Sequence, residues 1–453
     1  MSQIINGARL IPCLALVCHI FTSVKLSAQE TEHSIIADTL HEVTVTGQSA
    51  RQRISNVRLG AENIELSRLA QVPMLFGEND LIKSITLMAG VHSEGDGAGG
   101  FEVRGGTASQ NLIMLDGITL YNPSHVMGIF STFNDNALSR AVLYKGPIPA
   151  FYGGASSSTL DTSLSAGDME SYHGSATIGI LAAKIKAEGP IVKDKLSFAV
   201  TARRSYLDMF LQMIPQYRNT VMNFYDVTAK LRYIPRAGDM IDVSFMISQD
   251  NMAIQNVMGM YWGNTGASVN WHTRRGDHWR FSTTAAFTHY SPKMVMSMMR
   301  TDQMLREYIH DYSINERAMF TVDDHHSVEL GIRSQLLRVK SAEFEINGHR
   351  QTDIRSGWQN ALWINYNGSF SDRISAEAGI RVSLFSAMTG NRFHEFDAPD
   401  EQTPAYNKHT YCDPEPRISL KYNIDNTNNI KAGISTTTQN LHAVRANTTS
   451  FPF

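Results

Sequence analysis

The chain reads as mainly β: a small α+β domain near its N-terminus, followed by antiparallel strands of a transmembrane β-barrel. Three observations predict this. Between Glu78 and Leu164 short apolar runs repeatedly stop at glycine turns. Beyond Gly167 the texture changes to two-faced segments of about ten residues, apolar on one face and polar on the other. The connections between those segments alternate between short and long, as barrel turns and surface loops do.

Bulk properties agree with that division. A chain of 453 residues is too long for one ordinary domain. Charged residues make up 18% and the formal net charge is -3, which leaves no basic stripe for nucleic acid and no tail of like charge. Bulk hydropathy is not that of a helical membrane protein.

Residues 1–28 read as an export signal. Arg9 precedes an apolar core from Leu10 to Val24, shorter than the ~20 residues of a spanning helix, and Leu26-Ser27-Ala28 offers a small residue for cleavage. Cys13 and Cys18 lie inside this segment, so processing leaves Cys412 alone and no intramolecular disulfide. Residues 29–48 form a polar stretch ending in a short alternating strand, with Val43 and Val45 opposite Thr44 and Thr46. An exposed strand of this kind is either the first strand of a domain or one that adds to a partner's sheet edge.

Residues 49–168 form the small domain. From Leu66 to Met88 the pattern is helix, turn, helix: Glu78-Asn79-Asp80 places acids at a helix start, Leu81, Ile82, Ile85 and Met88 recur at helical spacing, and Gly90 ends it. Gly95 to Gly100 spells G-x-G-x-x-G, but a helix precedes it and a strand follows. That order is the reverse of a dinucleotide loop and predicts a glycine loop at one end of the domain. Phe101–Arg104, Leu112–Leu115 and Arg140–Lys145 read as strands, each running into a glycine turn.

Residues 169–453 supply the barrel strands. Leu196, Phe198, Val200 and Ala202 alternate with Ser197, Ala199, Thr201 and Arg203, and Ile374 to Leu384 alternate with Ser375, Glu377, Arg381 and Ser383. Ionised residues in mid-strand suit a wet lumen better than a soluble sandwich. Short turns are predicted at 193–195, 235–239, 275–277, 323–326, 371–372 and 425–429. Long loops are predicted at 205–222, 250–266, 291–306, 343–355 and 386–414. About thirteen strands can be counted, whereas large plugged outer-membrane barrels close at about 22. The expectation is therefore a partial barrel in a truncated chain, because an open edge in lipid leaves backbone groups unpaired.

Several motifs together carry a family resemblance. They are the Asn79–Gly90 helix, Phe101–Gly106, Gln110–Gly117, Tyr121-Asn122-Pro123-Ser124-His125 and Tyr144-Lys145-Gly146 through Tyr152-Gly153-Gly154. In the strands, Gly189-Pro190, Ala202–Asp208 and Glu415–Leu420 join them. This ensemble resembles the TonB-dependent outer-membrane receptors: a plug domain, then the N-terminal part of the β-barrel. The resemblance implies that Glu42, Val43, Thr44, Val45, Thr46 and Gly47 are a TonB box pulled by TonB with ExbB and ExbD. It implies structural roles in the plug for Arg104, Gly105, Gly106, Asp116, Gly117, Gly153 and Gly154, and candidate ligand contacts at Ser93, Glu94, Asp96, Tyr121, Asn122 and His125. The implied function is energy-coupled uptake of a nutrient (siderophore, corrinoid, glycan or similar) across the outer membrane of a Gram-negative bacterium. The competing reading is a non-transporting surface binding protein or adhesin. A surface lipoprotein partner is not assigned.

The remaining chemistry is sparse. Met294, Met296, Met298 and Met299 form a methionine-rich loop; thioethers favour Cu(I), but methionine is also an adaptable contact residue, and the second reading is preferred. Asp323-Asp324-His325-His326 and Arg275-Gly276-Asp277 read as solvated turns. No nucleophile–base motif and no cofactor motif is present, so the chain is read as a non-enzyme without a cofactor.

Overall fold

A run of residues apolar on both faces needs cover on both faces, and Asn111–Leu115 is such a run. It forms the centre of the small domain. The computed structural model describes residues 57–71, 78–93, 99–254, 257–298, 301–346, 349–388, 393–395, 398–403, 409–425 and 428–441. The export signal, the Glu42–Gly47 strand, Glu94, Asp96 and Met299 lie outside the described residues.

The small domain contains β1 (Ala61–Asn63), α1 (Leu81–Thr86), β2 (Val91–Ser93), β3 (Phe101–Val103), β4 (Asn111–Leu115) and β5 (Ile118–Thr119). It continues through β6 (Ser124–His125), β7 (Phe130–Ser131), β8 (Leu138–Tyr144) and β9 (Ser158–Leu164). A five-stranded sheet runs in the order β1-β8-β9-β4-β5. The β4–β9 pair is parallel and its neighbours are antiparallel. Leu81, Ile82 and Ile85 of α1 pack with Phe101, Ile113, Leu143 and Leu160 in the core. The helix is shorter than the apolar spacing predicts: Asp80 caps it by accepting from the Lys83 N–H at 2.9 Å, and it stops at Thr86. Leu66–Gln71 is a 3₁₀ turn rather than an α-helix.

Behind this domain a 14-stranded antiparallel sheet follows. Its strands are β10 (His173–Ile178), β11 (Ala182–Val192), β12 (Leu196–Ser205), β13 (Thr220–Arg236), β14 (Asp239–Ile254), β15 (Met258–Arg275) and β16 (Trp279–Tyr290). After them come β17 (Lys293–Met298), β18 (Thr301–Thr321), β19 (His326–Ile346), β20 (His349–Ser369) and β21 (Ile374–Ala387). The small ladder β22 (Phe393–Glu395) and β23 (Ala398–Thr403) precedes β24 (His409–Asn423) and β25 (Asn429–Ser435). The α2 helix (Leu207–Gln212) lies between β12 and β13. Sequential strands neighbour one another from β10 to β21, β24 then pairs β21 and β25 pairs β24, with β17 pairing β15 and β18 off the main path. Among the described residues β10 and β25 end the path.

The two faces of this sheet are inverted relative to a soluble protein. Ile374, Ile380, Leu384, Ile418 and Leu420 are exposed, whereas Ser375, Glu377, Arg381, Ser383 and Arg417 are buried. The polar face covers the small domain, and the apolar face is left exposed. The predicted short turns at 193–195, 235–239, 275–277, 323–326 and 371–372 form, with Gly238 and Gly276 at positive φ. The predicted long loops at 250–266, 291–306 and 343–355 are corrected: they are strand ends. β14 reaches Ile254, β15 starts at Met258, and β18, β19 and β20 each run 21 residues. The reason is that backbone pairing continues as a hairpin beyond the stretch where the side chains alternate, so the hydrophobic pattern ends before the strand does.

Candidate functional site

Two tight turns fix how the small domain meets the wall. Asp116 (φ 49°) and Gly117 (φ 89°) form the two-residue loop between β4 and β5, the backbone that a type I′ turn requires and that Asp-Gly supplies at low cost. The turn points into the wall. The Asp116 carboxylate accepts from Lys230 at 3.0 Å and from Ser244 Oγ at 2.8 Å, while its carbonyl accepts from Ser268 and Asn270. A Cβ on Gly117 would stand 2.7 Å from Thr284. Arg104 and Gly105 make a second positive-φ turn, and Gly106 packs against Ser157. Gly153 lets Arg381 pass close: a Cβ there would lie 2.5 Å from its Nε.

Further polar contacts ring the interface. Arg58 forks onto Glu377 at 2.6 and 2.8 Å. Glu78 does not cap α1; it is buried against Lys184 at 2.9 Å and Arg203 at 3.7 Å. Arg417 donates to the carbonyls of Ile148 and Pro149, and Arg381 to that of Ala150.

His125 is the centre of the upper contact. Its ring nitrogens meet Asp250 at 2.5 Å and Asp226 at 2.7 Å, and its ring stacks on Phe224. Burial works against protonation, but the two carboxylates outweigh it and hold the imidazole up at about 9. Arg203 shares Asp226 at 2.6 Å. The next residues, Val126 (φ 48°), Met127 (φ 51°) and Gly128 (φ 91°), run left-handed in succession, which is costly for a β-branched Val. The Val126 N–H donates to Asp250 at 2.8 Å, so one carboxylate pins both the ring and the strained backbone.

Above this apex lies a cavity of about 530 Å³ between the small domain and strands β15 and β18–β21. Tyr121 and Asn122 line it from one side, Trp262, Arg333 and Gln335 from the other. Tyr121 donates to Asp311 at 3.0 Å, and burial followed by that carboxylate pushes its phenol well up. Gln335 donates to the same carboxylate at 2.8 Å. Beside the cavity Met252, Met260, Trp262 and Tyr290 pack with Tyr121, Met127, Met258 and Met294.

The expected ligand contacts thus divide. Tyr121 and Asn122 line the cavity, together with Gly153 and Gly154. Ser93 ends β2, exposed, and stands outside that lining. His125 is corrected: with no exposed surface it is sealed between two aspartates and serves the domain–wall contact instead. The methionine loop is corrected too. Met294 and Met296 lie in β17, opposite Met260 and Met258, as part of a paired strand; Met298 ends that strand. Ser291-Pro292 separates β17 from β16, since Pro lacks the N–H to continue the ladder. Among the described residues no His, Cys, Asp or Glu cluster could hold a metal ion. Arg333, Asp311 and the Asp226–Asp250 pair were not singled out from sequence. Their mid-strand position on the polar face was the available signal.

Residues 71–159 match the TonB-dependent receptor plug domain family. No curated protein matches the sequence. The fold is similar to the unliganded ferric citrate transporter FecA, with 11% identity and a TM-score of 0.64 over 85% of this chain and 63% of that one. It is also similar to the siderophore receptor PirA from Acinetobacter baumannii, with 13% identity and a TM-score of 0.61 over 85% and 62%. The copper transporter OprC gives 11% identity and a TM-score of 0.63 over 83% and 62%. The chain spans less than two thirds of the length of these structures.

Proposed function

We propose that the chain is a TonB-dependent receptor, a reading supported by its plug-domain match and its fold, and that it acts in energy-coupled uptake of a nutrient ligand at the outer membrane. Receptors of this family are transporters and not enzymes. The observation that carries the reading is the character of the plug–wall contact. Asp116 with Lys230, His125 with Asp226 and Asp250, and Arg417 with two plug carbonyls are polar bonds that water can replace. The net worth of one such bond is small when water substitutes for it, so a plug held this way can shift without unfolding a core.

A ligand in the 530 Å³ cavity touches the plug apex and the wall together, so its arrival can be felt at both. TonB, with ExbB and ExbD, is the proposed partner, pairing with Glu42–Gly47 by strand addition and supplying the pull. Structures similar in fold carry ferric citrate, siderophores or copper in their names, which supports a small nutrient as the cargo.

The test is capture of the chain by the periplasmic C-terminal domain of TonB. Val43→Pro with Val45→Pro removes two ladder donors and is expected to abolish capture. Capture at the wild-type level by that variant would remove the box from the mechanism, and absence of capture by the wild type would favour a surface receptor without energy coupling.

A further inference from the structure

We propose that the apex cavity selects an organic anion, its acid group held at Arg333 and its apolar body resting against Trp262, Leu337 and Phe385. This rests on the reading of the cavity as the ligand site and names the class of ligand. Arg333 is 5% exposed, lines the cavity, and among the described residues makes one hydrogen bond, Nη2 to Gln335 Oε1 at 3.3 Å. Its Nε has no partner. Asp311 acts on Arg333 through its charge, but it is engaged by Tyr121 and Gln335 through the same oxygen and forms no ion pair with Arg333.

A second guanidinium lies behind the cavity lining. Arg381 is fully buried beneath Gly153, and its partners are Ser383 Oγ at 3.1 Å, the Ala150 carbonyl at 2.9 Å and the face of Trp363. Among the described residues neither arginine has a carboxylate within ion-pair distance, in contrast to Arg58, Arg203 and Arg417. A buried charge without a direct ion pair is costly, and a planar guanidinium with a free edge is matched by a planar acid. The cavity supplies the remaining selectivity: Trp262, Leu337 and Phe385 give it an apolar wall, and its volume suits a small ligand.

The test uses the full chain in detergent and two probes of one shape, 2-naphthoate and the uncharged 2-naphthylmethanol, titrated by calorimetry. Naphthoate is expected to bind at least tenfold more tightly than the alcohol. Arg333→Gln should erase that ratio, and Arg333→Lys should restore part of it. Equal binding of the two probes, or no binding of naphthoate, to the wild type overturns the inference without reliance on any variant. TonB takes no part in this measurement, so failure of energy coupling with the probe ratio intact would count against the transport reading alone.

Discussion

Asp116 and Lys230 meet at 3.0 Å across the boundary between plug and wall, with both side chains buried. The aspartate reaches that point because it occupies a type I′ turn, and the lysine because it lies on the inward face of β13. Lys230 also faces Asp242 at 3.2 Å, so one cation serves an acid from each domain.

Asp116→Asn preserves the turn, since Asn tolerates the left-handed region, and removes the charge facing Lys230. Breaking a buried pair from one side costs about 3–5 kcal/mol, and Asp242 should keep the loss toward the lower end. Faster amide hydrogen exchange at 115–119 is the expected result. Adding Lys230→Met should recover part of the protection; unchanged exchange in the single variant would show that the pair does not seat the plug.

At Gly117 two costs can be separated. Gly117→Ala places an L-residue at φ 89° and a Cβ 2.7 Å from Thr284 Cγ2. A loss of about 1–2 kcal/mol from the backbone alone is expected. Thr284→Ser removes the methyl and should return only the steric part, read by urea unfolding of the two variants.

The His125 contact predicts a pH dependence of plug seating. Its folded value of about 9 is above the unfolded 6.5, so its contribution is complete below pH 6.5 and is lost as pH rises through about 9. The shift corresponds to roughly 3 kcal/mol at full effect. Limited proteolysis of the apex should accelerate between pH 7 and 10 in the wild type, whereas His125→Gln should be equally susceptible at both ends. A flat wild-type profile would contradict the assignment.

Met260→Leu with Met294→Leu conserves volume while deleting two facing thioethers. As a contact surface the pair should tolerate this with less than about 1.5 kcal/mol of destabilisation. Competition for Cu(I) against bicinchoninate should be the same in both proteins; weaker Cu(I) retention by the variant would restore a copper role for the methionine strand.

Much of this architecture was legible in order along the chain. Asp116-Gly117 between two apolar runs specifies a hairpin locally, and the alternation in Ile374–Leu384 specifies a two-faced strand. The through-space partners were not legible, because Asp116 and Ser244, or His125 and Asp250, are joined only when the wall curves past the plug. His125 was misread for that reason: an exposed loop histidine and one sealed by two distant aspartates look alike in a single sequence. Strand length was also misread, because hydrophobic alternation reports the two environments of the faces and the backbone ladder continues where that contrast ends.

The inverted faces of the wall give the plug a role that no single contact describes. Glu377, Arg381, Arg417 and Lys230 could not stay buried against hydrocarbon; they find their donors and acceptors in the plug's turns, carbonyls and carboxylates. The plug is therefore the solvent of the wall's inner surface. Displacing it is a change of medium, and the work required is set by how fully water fills in behind it.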